Sequence, residues 1–348
     1  MAKFDDLLTS EQFENNPYPI YRQLREEAPV YWSDSWGCWI LTRYQDVVAT
    51  LQDHKRFTSL GRLTATFDLT DDLRERVAPL IRHYSQGLIN VDPPDHTRMR
   101  NLLNMAFAPR TMRQLEDYVS DIVERLLDDV QDKGAMDIIW DFSYLLPVTV
   151  IAHLMGVPQE DHPKFKEWSS RIIEFMTTPK PSPEVLLRSQ DNLLALQQFF
   201  RDVARERKAE PRDDVITALV TVEQEGERLT EEEMVSTCVT LLIGGHETTT
   251  YLVASGMLAL LKHPEQMAML KADPDLITSA VEEMLRWEGP FQRNRRLAVE
   301  DVVLNDQQIR KGDLVMQIQG AANRDPAVFG DLGGDVANPT DVDVTVLF

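Results

Sequence analysis

A chain of 348 residues is long for one ordinary core, yet a helical unit wrapped around a cofactor reaches this size. With 36 Lys+Arg against 57 Asp+Glu, the net charge of −21 argues against nucleic acid and anionic membranes as partners. Cys38 and Cys238 make no disulfide framework and fit a reducing cytoplasm; no apolar run approaches the ~18 residues of a membrane span, and the acidic start "MAKFDDLLTS" has no secretory core.

In chain order, "NPYPIYRQLREEAPVYW" (16–32) predicts a short helix opened by prolines, then a strand from Val30. "GCWILTRYQDVVATLQ" (37–52) predicts a strand at 38–42 and a helix after it, so a small sheet lies near the N-terminus. Residues 60–90 read as loop with short helices. From about 97 to 262 the pattern is helical almost throughout. Residues 111–130 and 181–208 repeat apolar side chains at three and four, and 211–222 opens with Pro and acids as a helix start does. The stretch "VTVIAHLMGV" predicts a satisfied core histidine at His153. Beyond 288 the chain turns extended: 295–319 alternates around turns at Asn305–Asp306 and Lys311–Gly312. The expected fold is mainly α with a minor β portion, and no linker divides it.

One helix stands out. Thr230 and Glu233 form a capping box, and Pro264 stops the helix about 32 residues later, a length of ~48 Å. It is apolar on nearly every face from Met234 to Leu261, which predicts a path through the core. Its middle, "LLIGGHETTTYLV" (241–253), contradicts that purpose. Gly costs about 1 kcal/mol against Ala in a helix interior, and Thr hydroxyls compete for backbone carbonyls. Gly244, Glu247, Thr248 and Tyr251 fall near one face, where two glycines leave room for something flat. A carboxyl, a hydroxyl and water beside a flat surface make a proton relay. The competing explanation is that the glycines admit a neighbouring helix. Zinc on H-E-x-x-H would need a second His at 250, which is Thr250.

Further motifs follow a fixed order. His96 and Arg100, four apart at a helix start, form a cationic pair suited to carboxylates. Glu283 and Arg286 lie one turn apart, a spacing that a surface ion pair would also show. Arg295 and Arg296 open the extended segment, and Asn323-Arg324-Asp325-Pro326 comes after it.

As a collinear set from about residue 12 to 329, these motifs resemble the soluble bacterial cytochrome P-450 family, the haem-thiolate monooxygenases. The resemblance implies haem b as cofactor. Glu247 and Thr248 would deliver protons during oxygen activation, next to a cofactor face bared by Gly244 and Gly245. His96, Arg100 and Arg296 would bind haem propionates, and Glu283–Arg286 would be a structural pair. Thr240, Ile243 and Phe291, with the segments 60–90 and 172–185, would line the substrate. Electrons would come from a ferredoxin or flavodoxin with an NAD(P)H-dependent reductase, and the substrate would be a hydrophobic small molecule. The resemblance implies insertion of one oxygen atom from dioxygen into that substrate.

The family's haem-ligand loop, F-G-x-G-x-H-x-C-x-G, has no counterpart. "GDLGGDVANPTDVDVTVLF" at the C-terminus holds no Cys, His or basic residue. The expectation is therefore a single domain at 1–330, truncated before the last loop and helix, with 331–348 a tail from a shifted reading frame. Cys238 lies on the long helix, on the distal side, and reads as a packing residue; Cys38 lies on the N-terminal strand. A non-catalytic remnant that binds a hydrophobic ligand stays open as the alternative.

Overall fold

The computed structural model describes residues 2–65, 69–107, 109–158, 161–178 and 181–330. It is mostly helical with a small sheet portion, as expected. Two compact units emerge: Met1–Arg62 with Tyr251–Phe348, and Leu63–Thr250. The proposed tail at 331–348 lies outside the described residues.

The first unit holds the strands β1 (Val30–Ser33), β2 (Cys38–Leu41), β3 (Phe57–Thr58), β4 (Asn294–Ala298), β5 (Val302–Leu304), β6 (Gln307–Ile309) and β7 (Leu314–Gln317). One sheet runs β1-β2-β7-β4-β3, and β5-β6 form a hairpin. β2 and β7 pair in parallel with Trp39 opposite Val315, while β4 and β7 pair antiparallel with Arg296 opposite Val315. Period-two alternation gives this sheet two apolar faces. Cys38, Ile40, Leu314 and Met316 pack with Ile20, Tyr21 and Leu24 of the helix Tyr18–Glu27. Trp39, Leu41, Val315 and Ala298 pack with Val47 and Phe57. The turn at Asn305–Asp306 has φ of 47° and 60°, the left-handed pair that a two-residue hairpin requires.

The second unit is helical. Its helices include Ala78–Gln86, Asp95–Ala106, Pro109–Gln131, Leu145–Leu154, Pro183–Ala209, Val215–Thr221 and the part of Glu231–Lys262 up to Thr250. Caps set their starts: Ser182 accepts from the Val185 N–H, and Asp214 from the Thr217 N–H at 2.7 Å. The predicted capping box is reciprocal, with Glu233 N–H donating to Thr230 Oγ1 at 3.2 Å and Thr230 N–H to Glu233 Oε2 at 2.9 Å. Leu80, Met155, Ile172, Leu193, Phe200, Val235 and Cys238 form the core. Arg207 is buried among them, held by Asp214 at 2.5 Å and the Gly156 carbonyl at 3.0 Å. That anchor shortens the helix expected at 211–222 to Val215–Thr221, because Asp214 is its cap.

Two expectations need correction. The long helix is buried from Met234 to Val239, but beyond Leu242 its faces open, and Tyr251 is 59% exposed. Apolar composition reports what a surface would favour, not which neighbour meets it. His153 is not a core residue: it is exposed and stacks on Tyr118, ring centroids 3.6 Å apart. Ile151 and Ala152 point inward, and one further residue turns the helix about 100°. Among the described residues no helix is long and apolar enough to cross a membrane.

Candidate functional site

In the helical unit the anomalous stretch has a defined geometry. Thr248 Oγ1 donates to the Gly244 carbonyl at 2.5 Å, and Thr250 Oγ1 to the His246 carbonyl at 3.1 Å. Such bonds back to the preceding turn compete with the backbone ladder and let a helix bend. A Cβ built on Gly244 would meet no heavy atom within 4 Å, so a bare patch of backbone stands beside the Thr248 hydroxyl. Gly245 is different. Its Cβ would lie 3.1 Å from Ile151 Cδ1, on the helix Leu145–Leu154. Gly245, expected on the cofactor face, packs against a neighbouring helix that its missing side chain admits. The neighbouring-helix explanation describes Gly245, while Gly244 faces open space.

Glu247 is half-buried, and burial holds its carboxyl above the usual carboxylate range. Tyr144 sits beside it; burial and then the Glu247 charge push its phenol up to about 12. The Tyr144 ring also meets the buried His246 edge-on at 4.9 Å. Sequence reasoning missed Tyr144, because a lone tyrosine far along the chain gives no spacing signal.

His96 and Arg100 share the helix Asp95–Ala106. Burial and then the Arg100 charge depress the imidazole pKa, against an opposing pull from Asp92. The pair is thus electrostatically coupled, with a neutral imidazole next to an exposed guanidinium. Arg98, midway between them, turns away to Glu233 and, at 3.9 Å, to Glu227.

In the sheet-bearing unit Arg296 is half-buried on β4, and its Nη1 donates to Asn294 Oδ1 at 3.0 Å and to the Arg295 carbonyl at 2.8 Å. Glu283 and Arg286 are no surface pair. Both are buried on the helix Ile277–Glu288, joined by two hydrogen bonds of 2.6 and 2.5 Å. The third arm of Arg286 donates to the Asn323 carbonyl at 2.7 Å, which ties this helix to the Asn323-Arg324-Asp325 segment. Arg324 lies between the rings of Tyr18 and Trp287, at 3.4 and 3.7 Å. Asp325 accepts from the Tyr44 N–H at 2.9 Å.

Of the residues expected to line a substrate, Thr240 and Ile243 are half-buried on the long helix, whereas Phe291 is 51% exposed in the other unit. The segment 172–185 is described except at 179–180, and 60–90 except at 66–68.

The donor set fits a haem in part. In the helical unit Gly244 is exposed and bare of side chain, and His96 and Arg100 are donors suited to carboxylates; in the sheet-bearing unit, taken by itself, Arg296 is another such donor. Neither cysteine fits as a thiolate ligand. Cys38 and Cys238 are fully buried; burial pushes the Cys38 thiol up to about 12 and raises Cys238 further, with its Sγ 3.8 Å from Met234 Sδ.

The profile of the family described as cytochrome P450 matches residues 7–331. The biotin biosynthesis cytochrome P450 of Bacillus subtilis (strain 168) is 37% identical over 343 residues, covering 97% of this chain and 81% of that protein. The vitamin D(3) 25-hydroxylase of Pseudonocardia autotrophica is 37% identical over 322 residues, covering 91% and 76%. Among solved structures, P450BioI in complex with acyl carrier protein ligated with hexadec-9Z-enoic acid matches with a TM-score of 0.86 at 36% identity, covering 95% of this chain and 84% of that one.

Proposed function

Because this chain belongs to the cytochrome P450 family of haem monooxygenases, we propose that it inserts one atom of dioxygen into a C–H or C=C bond of an apolar small molecule. The other oxygen atom leaves as water, which consumes two electrons and two protons. Haem, when bound, supplies the iron chemistry. The observation that carries the reading is the bond from Thr248 to the Gly244 carbonyl, with the half-buried Glu247 one residue away.

The roles follow from these atoms. Burial makes the Glu247 carboxyl a better proton reservoir than an exposed acid, because it holds its proton closer to neutral pH. Thr248 uses its own proton on the Gly244 carbonyl, so its oxygen lone pairs face outward as acceptors. A water held there would sit over the bare Gly244 patch. His96, Arg100 and Arg296 would hold the haem carboxylates, and Thr240, Ile243 and Phe291 would contact substrate. Electrons come from a ferredoxin or flavodoxin with its NAD(P)H-dependent reductase, in the cytoplasm. A relative named for vitamin D(3) hydroxylation and a similar structure holding a fatty acyl chain support an apolar substrate.

A second reading has its own observation. Both cysteines are buried with their thiol pKa values raised by burial, which fits neither as a thiolate ligand and keeps a non-catalytic chain that binds an apolar ligand as the alternative. The deciding experiment loads the full chain with haem, adds a ferredoxin, its reductase and NAD(P)H, and offers a fatty acid and a steroid. Oxygenated product that depends on haem and reductant supports the monooxygenase. Ligand binding without product, under conditions where haem is bound, sinks that reading in favour of the second.

A further inference from the structure

Within the sheet-bearing unit a cleft of about 900 Å³ opens between the helix Tyr18–Glu27, residues 255–262 of the long helix and the end of the helix Ile277–Glu288. That volume suits a small organic molecule. No residue assigned above to haem, proton transfer or substrate lines it.

Its charge runs against that of the whole chain, which is −21. Arg22, Arg25, Lys262 and Arg324 line the cleft, against Glu288 as its one carboxylate. Part of this charge is matched internally. Arg324 holds Glu288 at 3.0 Å, and the Tyr18 hydroxyl donates to the same carboxylate at 2.8 Å. Arg25 is buried 3.8 Å from Asp325 and donates to the Ala321 carbonyl at 2.8 Å. His263 faces Glu265 at 3.4 Å. The surplus is therefore carried by the exposed Arg22 and Lys262, and Glu26, one turn beyond Arg22, does not line the cleft. Like charges in a concave site focus their field on an entering anion.

The wall beside them is built firmly. The Arg324 guanidinium lies between the Tyr18 and Trp287 rings, and Gln292 Nε2 donates to the Tyr18 hydroxyl at 3.3 Å and to the Gly289 carbonyl at 2.9 Å. Apolar surface is present too: Leu258 lines the cleft and is 52% exposed, with Ala259 and Pro19 in the same lining. Cations beside an exposed leucine suit a ligand with one charged end and one apolar end.

We propose that this cleft binds an organic phosphate monoester. Above its second pKa of about 6 such a group carries close to two negative charges, which balances Arg22 and Lys262, whereas a carboxylate or sulfonate leaves one of them unmatched. The apolar body rests on Leu258 and on the edges of the Tyr18 and Trp287 rings. The proposal is independent of the haem chemistry, because its residues are not those assigned to haem.

The test is isothermal titration of the full chain at pH 8 with 1-naphthyl phosphate, 1-naphthalenesulfonate, 1-naphthol and inorganic phosphate. The ester should bind saturably at one site, and the other three about tenfold or more weakly. Arg22→Gln and Lys262→Gln should each weaken the ester about tenfold, while Arg310→Gln, an exposed arginine of the same unit outside the cleft, should leave it unchanged. Leu258→Ala should weaken the ester and leave inorganic phosphate as it was. No saturable binding of the ester overturns the proposal. So does equal binding of naphthol, which shows an apolar patch only, or of inorganic phosphate, which shows an anion site without an apolar subsite. Equal binding of the sulfonate overturns the charge match. A loss in Arg310→Gln as large as in the cleft variants shows unspecific attraction and also overturns it. Should either glutamine variant lose its helical far-UV signal, Leu258→Ala and the ranking of the four probes decide.

Discussion

The Thr248 hydroxyl donates to the Gly244 carbonyl at 2.5 Å, one turn back along the same helix. That bond fixes the hydroxyl beside a patch with no side chain. Thr248→Ala should therefore preserve haem binding and fold while cutting the product formed per electron by about tenfold or more. Peroxide release should rise to match. Measured electron consumption, product and peroxide in the haem-loaded protein check this; unchanged coupling would remove Thr248 from the proton path.

Gly244 and Gly245 should separate cleanly on substitution. Gly245→Val drives a side chain into Ile151 and should cost about 1–3 kcal/mol in denaturant unfolding. Ile151→Ala should recover part of that loss in the double variant. Gly244→Ala meets open space and should leave stability equal or raise it by up to about 1 kcal/mol, because alanine favours helix. Its effect should appear instead as weaker haem binding. The reverse pattern would return Gly245 to the cofactor face.

Arg286→Ala leaves Glu283 charged and buried without its two hydrogen bonds, and also frees the Asn323 carbonyl. The expected loss is about 3–5 kcal/mol. Glu283→Gln with Arg286→Met removes both charges and should cost less than Arg286→Ala alone. A chemical-denaturation series reads the difference, and an Arg286→Ala cost below about 1 kcal/mol, the range of an exposed pair, would contradict the buried assignment.

His83 contributes to the acid limb of stability. It is buried against Gln197, with Nδ1 3.0 Å from Nε2, and burial pushes its pKa down to about 4. In the unfolded chain the ring protonates near 6.5, while in the fold it stays neutral. Stability from this group is therefore complete above about pH 6.5 and is lost as pH falls toward 4, by at most about 3 kcal/mol. His83→Gln should flatten that part of a stability–pH curve, and an identical slope in the variant would reject the assignment. Glu247 acts in the opposite sense: its raised pKa removes stability as pH climbs past the ordinary carboxylate value, so Glu247→Gln should gain most on the alkaline side of that window.

Much of this was legible in the sequence because it is local. A capping box, a proline stop and a three-four apolar spacing act within one or two turns, so Thr230, Glu233 and the helix Glu231–Lys262 could be read directly. The spacing of Glu283 and Arg286 placed them one turn apart, and the turn at Asn305–Asp306 followed from the residue types that tolerate positive φ. Tertiary structure decided what lies across each residue. Residues 38–42 and the alternating 295–319 read as extended, but no local pattern can pair Trp39 with Val315. Apolar content cannot say that Gly245 faces Ile151 while Gly244 faces open space, or that His153 turns outward to Tyr118. Nor can spacing show that Glu283 and Arg286 are buried rather than solvated, or that Arg62 and Arg296 share the Asn294 oxygen. Each of those depends on contacts between residues far apart in the chain, and burial, charge coupling and steric room are properties of such contacts, not of any single stretch.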